Sequence, residues 1–205
     1  METTAKIKLL LVAAEPMTGL DEGSLLLKRL NNEPCNNSYV LQSVRALNPA
    51  EVVAAAADMR PDVIHFCGEC TASGNFVFKN DDGSTSDWCS KSNLLKKLSR
   101  ALDDVKLVYF NGAVKDSELA AAGGKIAFLV GMQQRGETEI SKKFAGGFYM
   151  ALGFGNSVGF SFGKVWQALP EGERKLVLRF RNDIDPDKYC LRDVGVPRRS
   201  PSTLN

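Results

Sequence analysis

Two short segments carry the residues that are best placed to do chemistry, HFCGEC at positions 65–70 and YFNGA at positions 109–113. Each follows an apolar run and ends in a turn of small or polar residues, which is typical of a buried strand that delivers side chains to a sheet edge. In open α/β sheets, sites form outside the carboxyl ends of the strands. A cysteine hydrolase would need a histidine at one such end and a cysteine at the other, because the imidazole activates the thiol. This chain has Glu69 at the first end and Ala113 at the second.

Residues beside Glu69 offer a second chemistry. His65 is the only histidine in the chain, and Cys67 and Cys70 lie close to it in sequence. A thiol activated by an imidazole is a nucleophile, so an active cysteine hydrolase that uses Cys70 or Cys67 with His65 as base is a rival hypothesis. Side chains at positions 65 and 70 would leave an unbroken strand on opposite faces, although Gly68 interrupts that alternation.

The cysteines do not form the pattern of a metal site or of a disulfide framework. There are five of them, an odd number, without framework spacing. The C-x-x-C sequence at positions 67–70 follows a strand, whereas the thioredoxin motif stands where a helix begins, and a zinc site would need a second Cys/His pair. We therefore predict neither a bound metal ion nor a cofactor.

Composition limits the classes of function that the chain can have. The 205 residues carry a net charge of +2, with 44% hydrophobic and 24% charged residues, which is an ordinary globular mixture. The basic segment KSNLLKKLSR (91–100) is expected to be a solvated helix face rather than a nucleic-acid site. The N-terminal apolar run contains Lys8 and favours a first strand over a signal peptide, and no run reaches the roughly 18 residues that span a bilayer. These features predict a soluble cytoplasmic protein without nucleic-acid or membrane partners.

Hydrophobic periodicity and turn residues predict an alternation of strands and helices. The predicted strands are 7–13, 39–47, 63–66, 105–110, 126–130 and 175–180, and the predicted helices are 20–30, 50–59, 90–102, 116–122, 137–152 and 157–169. A small β-hairpin that begins at positions 76–78 is inserted between the third strand and the next helix. Such alternation indicates a parallel sheet with right-handed crossovers.

Five segments in this order resemble the CHAT-type, caspase-like cysteine peptidases of clan CD. In that family a strand ends in V-H-F-S-G-H-G, a hairpin carries G-x-L-x-L/F and D-x-x-G, and later strands end in L-N-A-C and V-I-G-M. A helix then carries A-x-x-F-x-x-x-F-Y-x-A-L-x-x-G. The matching segments here are VIHFCGEC (63–70), GNFVFKNDDG (74–83), LVYFNGA (107–113), AFLVGM (127–132) and FAGGFYMALGFGNSV (144–158). The start, LLLVAAEP, is similar to the family's first strand and its A-A-N-P turn, so the resemblance runs over residues 6–169.

The resemblance implies that both catalytic positions are degenerate. The family's catalytic histidine falls at Glu69 and its nucleophilic cysteine at Ala113, while His65 matches an earlier histidine of the family that is not catalytic. Alanine has no nucleophile, and glutamate at position 69 has nothing to deprotonate at position 113. The resemblance therefore implies a pseudopeptidase. Its degenerate pocket would comprise His65, Gly68, Glu69, Cys70, Asn111, Gly112 and Ala113.

The expected fold is a caspase-haemoglobinase-like three-layer α/β sandwich, with a mostly parallel sheet of about six strands, helices on both faces and the hairpin insertion. Residues 1–185 are expected to form one domain, and residues 186–205 a partly disordered tail. The expected function is a regulatory or scaffold interaction with another protein. The partner would be an active peptidase, a stress or defence assembly, or a second copy bound through the edge strand 175–180. A doubly wound small-ligand-binding domain is a further alternative, although the turn after the first strand lacks a glycine-rich phosphate loop.

Overall fold

The structure is a computed structural model that describes residues 5–14, 22–32, 37–71, 73–133 and 138–192. Its strands are β1 (Ile7–Ala13), β2 (Tyr39–Arg45), β3 (Val63–Cys67), β4 (Phe76–Lys79), β5 (Thr85–Cys89), β6 (Leu107–Ala113), β7 (Phe128–Met132) and β8 (Leu176–Phe180). Its helices are α1 (Glu22–Asn31), α2 (Pro49–Met59), α3 (Lys91–Ala101), α4 (Asp116–Ala121), α5 (Thr138–Gly153) and α6 (Val158–Ala168), followed by a 3₁₀ turn at Glu171–Glu173.

Six strands form one sheet in the order β2-β1-β3-β6-β7-β8. The first five are parallel to one another, and β8 runs antiparallel to β7 at the edge. Strands β4 and β5 form a separate antiparallel hairpin between β3 and α3. The prediction of an α/β domain with a mostly parallel six-stranded sheet and a hairpin insertion is confirmed.

Helices cover both faces of the sheet. One face packs against α2, α3, α4 and the hairpin, and the other packs against α1, α5 and α6. Side chains alternate between the two faces along each strand, so Phe66 of β3 belongs to the first layer while His65 belongs to the second. Because β3 is covered on both faces, it is buried along its whole length. This explains its nearly continuous apolar sequence.

Local signals in the sequence account for several helix starts. The side chain of Asn48 accepts hydrogen bonds from the backbone amides of Ala50 and Glu51, and Pro49 is the first residue of α2. Ser90 caps α3 by accepting from the amide of Asn93, and Ser157 caps α6 in the same way. These caps satisfy amides that have no partner inside the helix.

Several strand boundaries differ from the prediction. Strand β2 ends at Arg45, before the predicted position 47, and β3 continues to Cys67. Strand β7 is shifted two residues toward the C-terminus, to Phe128–Met132. The prediction that Asn111 and Gly112 end β6 is wrong, because the strand continues to Ala113 with a break in its pairing to β7 after Tyr109. Pairing with neighbouring strands, rather than residue preference, sets these ends.

Part of the predicted tail is ordered against the domain. The amide of Val158 donates to the carbonyl of Tyr189, and Ser157 and Cys190 form an isolated β-bridge. The guanidinium of Arg192 donates to Ser38 and to the carbonyl of Gly153. The predicted turn at residues 15–19, Cys35, the start of the predicted helix at residue 137 and the disorder-like end beyond residue 196 lie outside the described residues.

Candidate functional site

Glu69 lies at the carboxyl end of β3, on the surface. Its side chain is 64% exposed and forms an ion pair with Lys79 of the hairpin, with 2.9 Å between Oε2 and Nζ. The hairpin also holds the backbone of this turn, because the amide of Val77 donates to the carbonyl of Glu69. A side-chain Cβ at Gly68 would lie 3.0 Å from Cβ of Ala14, so the turn leaves no room there for a larger residue. The hairpin thus presents the Glu69 carboxylate to solvent.

Ala113 lies at the end of the neighbouring strand, β6, where the backbones of β6 and β7 approach closely. The pairing of β6 with β7 is interrupted between Tyr109 and Ala113, and Ala113 then pairs with Met132. A Cβ at Gly131 of β7 would lie 2.7 Å from the carbonyl oxygen of Gly112, so only glycine fits at that position. The interruption leaves Ala113 half-buried at the carboxyl edge of the sheet.

The ends of β3 and β6 lie side by side at the carboxyl edge of the sheet. Strands β3 and β6 are neighbours, and a Cβ at Gly112 would lie 3.1 Å from Sγ of Cys70. Five of the seven predicted pocket residues therefore lie at this edge, namely Gly68, Glu69, Cys70, Gly112 and Ala113. We call this group the β3–β6 lip. Among these residues, the only thiol is that of Cys70, which is partly exposed.

Lys91 of α3 donates hydrogen bonds to the backbone at the β3–β6 lip, and the sequence analysis did not identify this role. Its side chain is 1% exposed. Its Nζ donates to the carbonyl oxygens of Gly74 and Ala113 at 3.0 and 2.9 Å, and it lies 5.6 Å from the ring centre of Phe110. The prediction that segment 91–100 is a solvated basic face holds for Lys96, Lys97 and Arg100, which are exposed, and is wrong for Lys91.

The other two predicted pocket residues, His65 and Asn111, face the opposite helical layer. The His65 ring is fully buried and stacks on Tyr109, with 4.4 Å between ring centres. Its Nδ1 is 3.0 Å from the hydroxyl of Tyr149 in α5, and its Nε2 is 3.3 Å from Oε1 of Glu22 in α1. Asn111 donates from Nδ2 to the other carboxylate oxygen of Glu22 at 2.7 Å.

Cys67 belongs to this second cluster because it is two residues from His65 along the strand. Within the ranges that the structure describes, Glu22, His65 and Cys67 are the one group of three His, Cys, Asp or Glu residues whose ligand atoms all lie within 4.8 Å of one another. We call Glu22, His65 and Cys67 the buried triad. Sequence reasoning missed Glu22 and Tyr149, since both lie on helices far from β3 in the chain and only the packing of the helices brings them there.

The surroundings of the buried triad are polar but closed to bulk water. Burial raises the pKa of Tyr109 and of Tyr149 well above the usual value, so both phenols remain protonated hydrogen-bonding groups. The Tyr109 hydroxyl donates to the carbonyl of Ser141 in α5 at 3.1 Å. These hydrogen bonds connect β3 and β6 to the helices that cover them.

A cleft between α1 and α5 reaches Glu22 from the surface. Its volume is about 230 Å³, and its lining includes the basic residues Arg29, Lys142 and Lys143. A second cleft, of about 420 Å³, lies between α4 and the segment that follows β8. Only the first of these two clefts reaches a residue of the buried triad.

Comparisons with known proteins identify no family for this chain. No family model matches it, and no curated protein matches it. One solved structure that it is similar to is the GDP-mannoheptose C4 reductase MlghC from Campylobacter jejuni with NADP bound, at 14% identity and a TM-score of 0.27. That similarity covers 73% of this chain and 46% of the reductase chain. In the described parts of the chain, no helix is long and apolar enough to cross a membrane.

Proposed function

We propose that this chain is a catalytically inactive caspase-like domain that acts through contacts with other proteins. The observation that carries the proposal is the composition of the β3–β6 lip, where two adjacent strand ends present Glu69 and Ala113 instead of a histidine and a cysteine. The resemblance of the sequence to CHAT-type peptidases assigns the catalytic histidine and cysteine to these two positions. The role that remains is regulatory or scaffolding, with an active peptidase or a stress or defence assembly as partner.

The contacts at the lip support an inactive site. The Glu69 carboxylate is engaged by Lys79, and the carbonyl of Ala113 accepts a hydrogen bond from Lys91. A methyl group at position 113 cannot attack a carbonyl carbon. Cys70 is the closest thiol to this edge, but the only histidine of the chain, His65, faces the opposite layer of the sheet. The lip therefore lacks an imidazole that could deprotonate Cys70.

A cysteine hydrolase based on Cys67 and His65 is the second candidate. The proximity of these side chains in the buried triad favours it. Against it, Cys67 is 7% exposed, and both imidazole nitrogens already face other groups, Tyr149 and Glu22. A substrate carbonyl could not reach this sulfur without separating α1 from the sheet. A thiol-directed probe should therefore label Cys67 and Cys70 no faster than it labels ordinary thiols of the same exposure.

Placing a histidine at position 69 and a cysteine at position 113 tests whether these two positions have the geometry of a catalytic dyad. In a Cys70→Ser background, Glu69→His with Ala113→Cys should give a thiol whose pKa is at least about one unit lower than that of Ala113→Cys alone, because an imidazolium stabilises the thiolate. Its alkylation by iodoacetamide near neutral pH should then be roughly tenfold faster. The measurement is the alkylation rate as a function of pH, with the labelled position mapped by mass spectrometry.

The matched control replaces Glu69 by glutamine. Glu69→Gln with Ala113→Cys removes the same negative charge without adding an imidazole, so its thiol pKa should stay close to that of the single Ala113→Cys variant. If the histidine and glutamine variants have the same pH profile, positions 69 and 113 do not form a dyad geometry. The pseudopeptidase assignment would then be wrong.

The open edge of β8 is the surface through which we propose that the chain pairs with a second copy or with a partner's strand. The amide of Arg181 donates to Ala127, and the carbonyl of Lys175 accepts from Gln133, so odd-numbered residues of β8 bond to β7. The amides of residues 176, 178 and 180 therefore point away from the sheet. No strand among the described residues pairs with this side of β8, and an edge of this kind is a template for strand addition.

Phe180→Pro tests this edge because it removes an outward amide and leaves the ladder with β7 intact. For a chain that self-associates through β8, the dissociation constant measured by sedimentation should rise about fivefold for each hydrogen bond of average strength that is lost. Phe180→Ser is the control, since it removes the same exposed ring but keeps the amide. A wild-type chain that remains monomeric at every concentration, or an equal effect of both variants, would contradict pairing through the β8 edge.

A further inference from the structure

The buried triad has the donor set of a transition-metal site. His65 supplies an imidazole nitrogen, Cys67 a sulfur and Glu22 a carboxylate oxygen, and the side chains are 0%, 7% and 6% exposed. His65 and Cys67 leave β3 on the same face, and Glu22 reaches them as the first residue of α1. Three protein ligands of these types are typical of zinc sites that keep a fourth position for another ligand.

The spacing of the ligand atoms fits one shared ion. Two ligands that each lie 2.0–2.1 Å from a tetrahedral zinc ion are separated by about 3.3 Å. Oε1 of Glu22 and Nε2 of His65 are 3.3 Å apart, and all three donor atoms lie within 4.8 Å of one another. The Cys67 sulfur therefore lies close to the position that such an ion would take between Oε1 and Nε2.

Two of the three donor atoms have unmet hydrogen-bonding capacity. In the described part of the chain, Oε1 of Glu22 and Nε2 of His65 are buried without a hydrogen-bond partner, although they face each other. A buried polar atom without a partner destabilises the fold, because its lost contact with water is not replaced. A metal ion between these two atoms would satisfy both at once.

The remaining atoms of these side chains are held by other residues, as ligands of a metal are. Nδ1 of His65 faces the Tyr149 hydroxyl at 3.0 Å, which orients the ring and leaves Nε2 for coordination. Oε2 of Glu22 accepts from Asn111 at 2.7 Å, which leaves Oε1 for coordination. We propose that Glu22, His65 and Cys67 bind a divalent transition-metal ion of the Zn²⁺ class through Oε1, Nε2 and Sγ.

Binding balances the charge of the buried triad. A divalent ion, the Glu22 carboxylate, the Cys67 thiolate and a neutral His65 sum to zero, which is the favourable state for a site with little access to water. The Cys67 thiol loses its proton to solvent as the metal–sulfur bond forms, so binding releases one proton. The cleft between α1 and α5 has Glu22 in its lining, so it lies next to the proposed site.

Cobalt substitution tests the site without any assumption about activity. Protein stripped with a chelator and titrated with Co²⁺ should bind one ion per chain and develop a thiolate-to-cobalt charge-transfer band in the near ultraviolet. Zn²⁺ should remove this band by competition. Cys67→Ser should abolish the band, while Cys89→Ser should retain it. Cys89 is a suitable control because it is also a buried thiol, 8% exposed, and lies in the hairpin on the other face of the sheet.

A change outside the ligand set provides a second test in case Cys67→Ser does not fold. Tyr149→Phe removes the hydroxyl that orients His65, so it should weaken Co²⁺ and Zn²⁺ binding by about 10- to 100-fold while the charge-transfer band keeps its shape. The proposal is overturned if stripped wild-type protein binds no stoichiometric Co²⁺. The proposal is also overturned if the stripped protein binds Co²⁺ without a thiolate band, or if the band survives in Cys67→Ser. In those cases Glu22 and His65 are a buried ion pair only.

Discussion

Replacing Lys91 by methionine is expected to lower the free energy of unfolding by about 3 kcal/mol, because two carbonyl oxygens lose their donor in a closed environment. The lysine Nζ donates to Gly74 and Ala113, and the side chain is almost fully buried. Methionine keeps most of the length and volume of the side chain, so the loss reports the ammonium group rather than a cavity. Urea denaturation followed by circular dichroism measures the change.

Lys96→Met is the matched control for this measurement. Lys96 lies on the same helix, α3, with its side chain exposed, so the substitution should change the free energy of unfolding by no more than about 0.5 kcal/mol. An equally small effect of Lys91→Met would show that the ammonium group does not hold the β3–β6 lip. The hydrogen bonds that join α3 to the hairpin and to β6 would then contribute little to stability.

Gly131→Ala is expected to destabilise the protein by about 3 kcal/mol, at the upper end of the usual effect of overpacking. The added methyl group would lie 2.5 Å from Cγ1 of Val114 and 2.7 Å from the carbonyl oxygen of Gly112. The valine can rotate, but the carbonyl belongs to the end of β6 and can move only if the β3–β6 lip moves. Thermal and urea denaturation measure the loss.

A second glycine serves as the control. Gly163 lies inside α6 with nothing within 4 Å of an added Cβ, so Gly163→Ala should stabilise the protein by about 0.5–1 kcal/mol, through helix propensity alone. Combining Gly131→Ala with Val114→Ala should recover only part of the loss, since the clash with the Gly112 carbonyl remains. Full recovery in the double variant would show that the side-chain contact alone excludes alanine at position 131.

The β3–β6 lip and the buried triad lie on different sides of the sheet and carry different functional groups. The β3–β6 lip is open and carries Glu69 and Ala113, while the buried triad has reactive side chains and is nearly inaccessible to solvent. Strand alternation explains the division, because His65 and Cys67 share one face and the chain turns to the other after Gly68. A role in protein contacts at the surface and a metal ion inside the domain are therefore compatible.

Local sequence determined much of the fold. Apolar runs specified β1 and β3 because both strands are buried on both faces, and Asn48, Ser90 and Ser157 specified helix starts because their side chains bond to the adjacent amides. That the ends of β3 and β6 lie at one edge of the sheet follows from the parallel order of the strands. Parallel strands end at the same edge of a sheet, and β3 and β6 are neighbours.

Only tertiary packing determined which side chains are buried beside the two sites and which groups they contact. The sequence by itself treats Lys91 as one lysine of an exposed helix face, and only the approach of the hairpin and β6 supplies the carbonyls that bury it. Glu22 is distant from His65 along the chain, and the packing of α1 on the sheet brings its carboxylate to within 3.3 Å of the imidazole. Sequence patterns report which face a residue occupies, because that depends on its neighbours in the strand or helix. They do not report what lies opposite that face, because that depends on how distant elements pack.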